Sequence, residues 1–87
     1  MAAEKGDLAI AEFLLLKGFA INLKDNDGET ALHEAAKWGH LKLIQFFINH
    51  GANINAVGSD GRAPIHLAIA QGNIDIVNLL KKNGAIL

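Results

Sequence analysis

An all-α solenoid of stacked helix-turn-helix units, joined by β-hairpin-like loops, is the fold class that the sequence predicts. Two observations carry the prediction. Glycine recurs at a fixed interval: Gly6, Gly39 and Gly72 are 33 residues apart, as are Gly18, Gly51 and Gly84, and Gly28 with Gly61 adds a third series. Self-similarity at a period of this size marks a repeat architecture. In addition, residues 22–54 and 55–87 lie over one another without a gap, placing Asn22 on Asn55, Asp27 on Asp60, His33 on His66 and Ala35 on Ala68. Apolar positions match in kind: Leu32 with Ile65, Leu41 with Ile74, Ile44 with Val77, Phe46 with Leu79, and Phe47 with Leu80. Residues 2–21 fit the later part of the same unit, with Ala2-Ala3 over Ala35-Ala36 and Phe13 over Phe46.

Each unit is expected to hold two short helices and a loop. The first helix of the central unit should run from about Ala31 to Trp38, with Thr30 as its N-terminal cap. Gly39 supplies the left-handed residue that ends it. The second should run from about Leu41 to His50, where Leu41, Ile44, Phe47 and Ile48 stand at helical spacing, and Gly51 stops it. Between units, Asp27-Gly28 and Asp60-Gly61 are turn dipeptides. The 87 residues thus read as one domain: a partial repeat over 1–21, a full repeat over 22–54, and a full repeat over 55–87 that lacks a terminal cap.

At that point the resemblance to a known family is specific. Asp27-Gly28-Glu29-Thr30-Ala31-Leu32-His33-Glu34-Ala35-Ala36, followed by Gly39-His40-Leu41, resembles the ankyrin repeat signature, and Gly51-Ala52-Asn53-Ile54-Asn55 is similar to its closing motif. Ala31 stands where the family usually has Pro, and Ala63 where it usually has Thr. Gly58 replaces the acidic residue found at Asp25, which is expected to loosen the second hairpin. The resemblance implies that His33 and His66 hydrogen-bond backbone and a neighbouring hydroxyl to order the turn. It also implies a non-catalytic module that binds a protein or peptide on a concave face lined by hairpin tips and first helices. Asparagines at the positions of Asn22 and Asn55 are hydroxylated in some members of the family.

Composition limits the alternatives. A net charge of -1, from eight Lys and Arg against nine Asp and Glu scattered singly, gives no pull toward nucleic acid or an anionic membrane. Cysteine is absent, so neither a disulfide framework nor a thiolate metal site can form. No apolar stretch approaches the ~20 residues that span a bilayer, and residues 1–7 lack the layout of a signal peptide. A cytoplasmic or nuclear protein is the expectation. About two and a half repeats are present where stacks usually need three or more. Apolar residues crowd both ends, which suggests either a piece of a longer array or self-association through uncapped end repeats.

Candidate chemistry is sparse. His33-Glu34 opens like a His-Glu-x-x-His zinc motif, but Lys37 stands where the second His must be. His40 follows only after the helix has ended at Gly39. No glycine run cradles a phosphate, and Ser59 sits at a turn tip with no base implied nearby. Neither an enzymatic role, nor a metal, nor a cofactor is expected.

Positions that differ between otherwise matching units are more informative, because the fold does not dictate them. At the hairpin tips Asn26 and Glu29 differ from Ser59 and Arg62, on either side of the shared Asp27 and Asp60. In the last turn of the first helix, Lys5, Trp38 and Gln71 are equivalent, as are Glu4, Lys37 and Ala70. Trp38 leads the candidates for binding a partner, since exposed Trp often anchors interfaces; sideways packing on a neighbouring unit is the alternative. Lys37 and Arg62 would add charged contacts, while Asp27 and Glu29 favour a basic segment of the partner. A second functional reading makes the chain a structural spacer within a larger repeat protein whose activity lies elsewhere.

Overall fold

The computed structural model describes residues 21–86. The expected partial repeat at 1–21 lies outside the described residues except for Ile21. Four helices follow in order: α1 (Ala31–Trp38), α2 (Leu41–Asn49), α3 (Pro64–Ala70) and α4 (Ile74–Lys82). No strand forms among the described residues, so the chain there is all-α with loops between helix pairs. None of these helices is long and apolar enough to cross a membrane.

Helix ends follow from local chemistry. Gly39 takes the left-handed conformation (φ 77°) that closes α1, and the His40 amide returns to the Ala35 carbonyl (3.0 Å). Pro64, whose missing N–H is an orphan at a first turn anyway, opens α3. Asn73 caps α4 by accepting from the Ile76 amide (3.4 Å). Asp75 in its first turn and Lys81 and Lys82 in its last complement the helix dipole. The second helix of the central unit ends at Asn49, one residue before the expected His50, which serves as the C-cap.

Helices of one kind stack: α1 packs on α3, α2 lies against α4, and each unit's own pair closes the layer behind. Leu32, Leu43, Ile44, Ile65, Ile76 and Leu80 are fully buried in the resulting core. Each such side chain contributes about 1.5–3 kcal/mol relative to exposure. Ala35, Ala36 and Ala68, also fully buried, are small enough for helices to approach closely. The expected stripe of α2 needs correction. Leu41 is 40% exposed, whereas Leu43, absent from that stripe, is buried with Ile44 and Phe47. The helix is covered from two sides, by α1 and by α4, so its apolar arc is rotated toward position 43.

Hydrogen bonds that recur at the repeat period close each unit. Asn22 donates from Nδ2 to the Gly51 carbonyl (3.2 Å) and accepts from the Asn53 amide (2.6 Å). Asn55 repeats this arrangement with the Gly84 carbonyl (3.0 Å) and the Ile86 amide (2.9 Å). The two hairpins are alike as well. The Asp25 amide donates to Glu29 O and the Gly28 amide to Asp25 O, both at 2.9 Å. In the next unit Gly58 donates to Arg62 O (3.0 Å) and Gly61 to Gly58 O (2.9 Å).

Gly58 keeps both backbone bonds of its hairpin, although it lacks the side-chain acceptor that Asp25 gives the first. It is buried because the first hairpin rests on it, and a Cβ there would meet the Asp27 carbonyl oxygen at 3.0 Å. That carbonyl accepts from the Ser59 amide (2.8 Å) and hydroxyl (2.9 Å). A side chain at 58 would push these hairpins apart. The contact also separates two glycines of equal backbone geometry, Gly28 (φ 73°) and Gly61 (φ 79°). A Cβ at Gly61 meets nothing within 4 Å, whereas at Gly28 it would lie 3.0 Å from the Ser59 nitrogen and 3.2 Å from Gly58 Cα. Gly61→Ala should cost only the left-handed strain of an L-residue, about 1 kcal/mol. Gly28→Ala should cost at least about 1 kcal/mol more, because backbone must also move. Urea midpoints of the two variants, followed by circular dichroism, check the order.

Candidate functional site

The differing positions converge where the first hairpin meets the end of α1. Lys37 reaches from the last turn of α1 to the hairpin, with its Nζ 3.6 Å from Glu29 Oε1 and 4.0 Å from Glu34 Oε1. One turn before Trp38, Glu34 is buried at 8% exposure, and its Oε2 accepts the Trp38 indole N–H at 3.2 Å. Helical spacing of i and i+4 puts the two side chains on one face. Trp38 is nonetheless 56% exposed. Sideways packing thus covers less than half of it.

Asp25 completes the group. Its Oδ1 accepts from the Asp27 and Glu29 amides, both at 2.9 Å, so the carboxylate orders the turn that carries Glu29. Carboxylate oxygens of Asp25, Glu29 and Glu34 lie within 4.8 Å of one another. Their oxygens are engaged by Lys37, by the indole and by hairpin amides, which is how three acids share so small a space.

Of the residues expected at a binding surface, the structure brings Glu29, Lys37 and Trp38 together. Glu29 is more covered than a hairpin-tip residue should be, with a side chain 12% exposed, because Lys37 folds over it. Asn26 and Asp27 are exposed beside it, and the Asp27 carbonyl is committed to Ser59. Asp60 and Arg62 form their own pair on the second hairpin (Nε to Oδ2, 3.6 Å), and both are more than half exposed. Such a pair contributes about 0–1 kcal/mol. Gln71 is exposed at the end of α3, and Lys5 lies outside the described residues. The residues missed were Asp25 and Glu34. A signal was available for Glu34, which is aligned with Leu67 and so is not required by the repeat, whereas Asp25 holds the acidic position from which Gly58 departs.

The two motif histidines are structural. His33 is fully buried, and its Nδ1 lies 3.0 Å from both the Thr30 amide nitrogen and the Thr30 hydroxyl. A backbone N–H can only donate, so Nδ1 is the bare nitrogen and Nε2 carries the proton. That proton is donated across the unit boundary to the Arg62 carbonyl (2.9 Å). His66 repeats the first contact, accepting from the Ala63 amide (2.9 Å), with no hydroxyl at Ala63 to add a second. The outer face of the last unit is correspondingly open: Ile69 is 48% exposed where Ala36 is fully buried, and Val77 is half-buried where Ile44 is fully buried.

Stacked helix pairs and hairpins bonded in register define a helical-repeat solenoid, with a cluster of unit-specific side chains along one side. The chain belongs to the ankyrin repeat family: the model of three ankyrin repeat copies matches residues 1–87. Ankyrin repeats are generally protein–protein interaction modules and are typically non-enzymatic. No curated protein matches the chain.

Proposed function

We propose that the chain is a non-catalytic recognition module that holds a partner protein or peptide on the concave face formed by its hairpins and first helices, with Trp38 at the centre. One observation carries this reading. Trp38 and the buried Glu34 that bonds its indole are both departures from the repeat, whose other copy has Gln71 and Leu67. The fold stands without either residue, yet the pair keeps a large aromatic side chain fixed and exposed. Holding such a side chain in place before a partner arrives reduces the ordering cost of association. Lys37 and Glu29 brace the same spot, while Asn26, Asp27, Asp60, Arg62 and Gln71 supply a polar border. Neither a cofactor nor a metal enters this function.

Affinity capture from lysate of the source cells, read by mass spectrometry, tests the reading. The intact chain is compared with Lys37→Ala/Trp38→Ala after circular dichroism shows that the variant remains helical. A Trp anchor is worth about 2 kcal/mol or more on truncation, so a specific partner should be lost from the variant. A partner captured equally by both removes these residues from the site. If neither captures one, the spacer reading takes precedence. Self-association is a second reading, favoured by Ile69 and Val77 on the open face of the last unit.

A further inference from the structure

Trp38 can offer a partner only certain chemistry. Its single polar atom, the indole N–H, is already donated to Glu34. What remains available is the ring, with more than half of the residue exposed. An aromatic ring attracts either apolar groups or, through its quadrupole, a cation.

The surrounding charge decides between them. The described residues contain six acids and six Lys or Arg, so their net charge is zero. They are not evenly spread. The hairpins and α1 hold Asp25, Asp27, Glu29, Glu34 and Asp60 against Lys24, Lys37 and Arg62, five minus three, for a net of -2. The second helices α2 and α4 hold Lys42, Lys81 and Lys82 against Asp75, three minus one, for a net of +2. Two of the cations on the acidic side are engaged elsewhere: Arg62 pairs with Asp60, and Lys24 Nζ donates to the Val57 carbonyl (3.1 Å). Among the described residues, this leaves three carboxylates against Lys37 alone beside Trp38. The protein's own ammonium at Lys37 also shows that a cation can sit between Glu29 and Glu34.

We infer that this face takes a basic segment of the partner protein, with an arginine or lysine side chain against the Trp38 ring and in the field of Asp25, Glu29 and Glu34. The inference rests on the proposed concave-face reading and adds the partner's charge to it. Carboxylates around an aromatic ring favour such a side chain and reject an acidic one, because like charges brought together cost more than the ring contact returns. Glu34 acts as a positioning residue through its bond to the indole and as a source of charge. Gln at 34 would retain a carbonyl acceptor for the indole while removing the charge.

Trp38 is the only tryptophan in the chain, so its fluorescence reports directly on the site. The probes are acetylated, amidated Gly-Arg-Gly-Arg-Gly and the same peptide with citrulline, a neutral near-isostere, in place of each arginine. The expected result is a saturable fluorescence change with the arginine peptide and binding at least about fivefold weaker with citrulline. Binding should weaken further as salt is raised. Glu29→Gln and Glu34→Gln should each weaken the arginine peptide by a larger factor than the citrulline peptide. Equal binding of both peptides, no saturable change with arginine, or insensitivity to both Gln variants would overturn the proposal. Its failure is distinguishable from that of concave-face recognition: a lysate partner that still depends on Trp38 while the peptides bind equally removes only the cation.

Discussion

His33→Ala is expected to lower the stability of the chain by about 4 kcal/mol, whereas His66→Ala should cost about 1–2 kcal/mol. The two histidines are one repeat period apart, and each accepts from the backbone amide three residues before it, at 3.0 and 2.9 Å. Only His33 is fully buried, shares a hydroxyl with Thr30 and donates to a carbonyl in the next unit. Its removal strands the Thr30 amide and hydroxyl in the core and takes one of two bonds from the Arg62 carbonyl, which keeps the Gly58 amide. Each stranded group costs about 1–3 kcal/mol, and a cavity adds to that. A protein of this size has a stability of about 5–15 kcal/mol, so the His33 variant should lose much of its margin. Urea unfolding followed by far-ultraviolet circular dichroism measures both variants. Equal losses would mean that the bond from His33 to Arg62 contributes nothing to holding the units together.

A comparable loss is expected in the core. Ile44→Ala should destabilise by about 3–4 kcal/mol, within the usual range for truncating a buried aliphatic side chain. Ile44 has no exposed surface and lies in the cluster that joins both units. Its counterpart Val77 is half-buried on the last helix pair, and Val77→Ala should cost about 1 kcal/mol. Denaturant midpoints should shift in that proportion with similar slopes. Equal shifts would show that the second helices contribute alike in both units, contrary to their burial.

Much of this fold was legible because the signal is periodic. A single stretch of Ala, Leu and His specifies little, but the same residues 33 positions later specify a unit. Two copies placed Ala31 and Trp38 at the ends of α1 without reference to anything distant. The site was legible only in part. Trp38, Lys37 and Glu29 stood out by differing from Gln71, Ala70 and Arg62. Glu34 differs equally from Leu67, but its partner is a tryptophan side chain whose direction no spacing rule gives. Asp25 works through amides of its own turn, a role visible only once the hairpin is closed.

By itself the sequence determined the repeat, the order of its elements, where the helices stop, and the residues that no repeat requires. These depend on local conformational preference and on hydrophobic spacing, both written along the chain. Only the tertiary structure decided which face of α2 is buried, why Gly58 must lack a side chain, and which nitrogen of His33 bears its proton. It also decided that Trp38 stays exposed with its N–H already taken. Each of these depends on a group brought from another unit or another turn, and such distances follow from how helices and hairpins stack, not from any local pattern of residues.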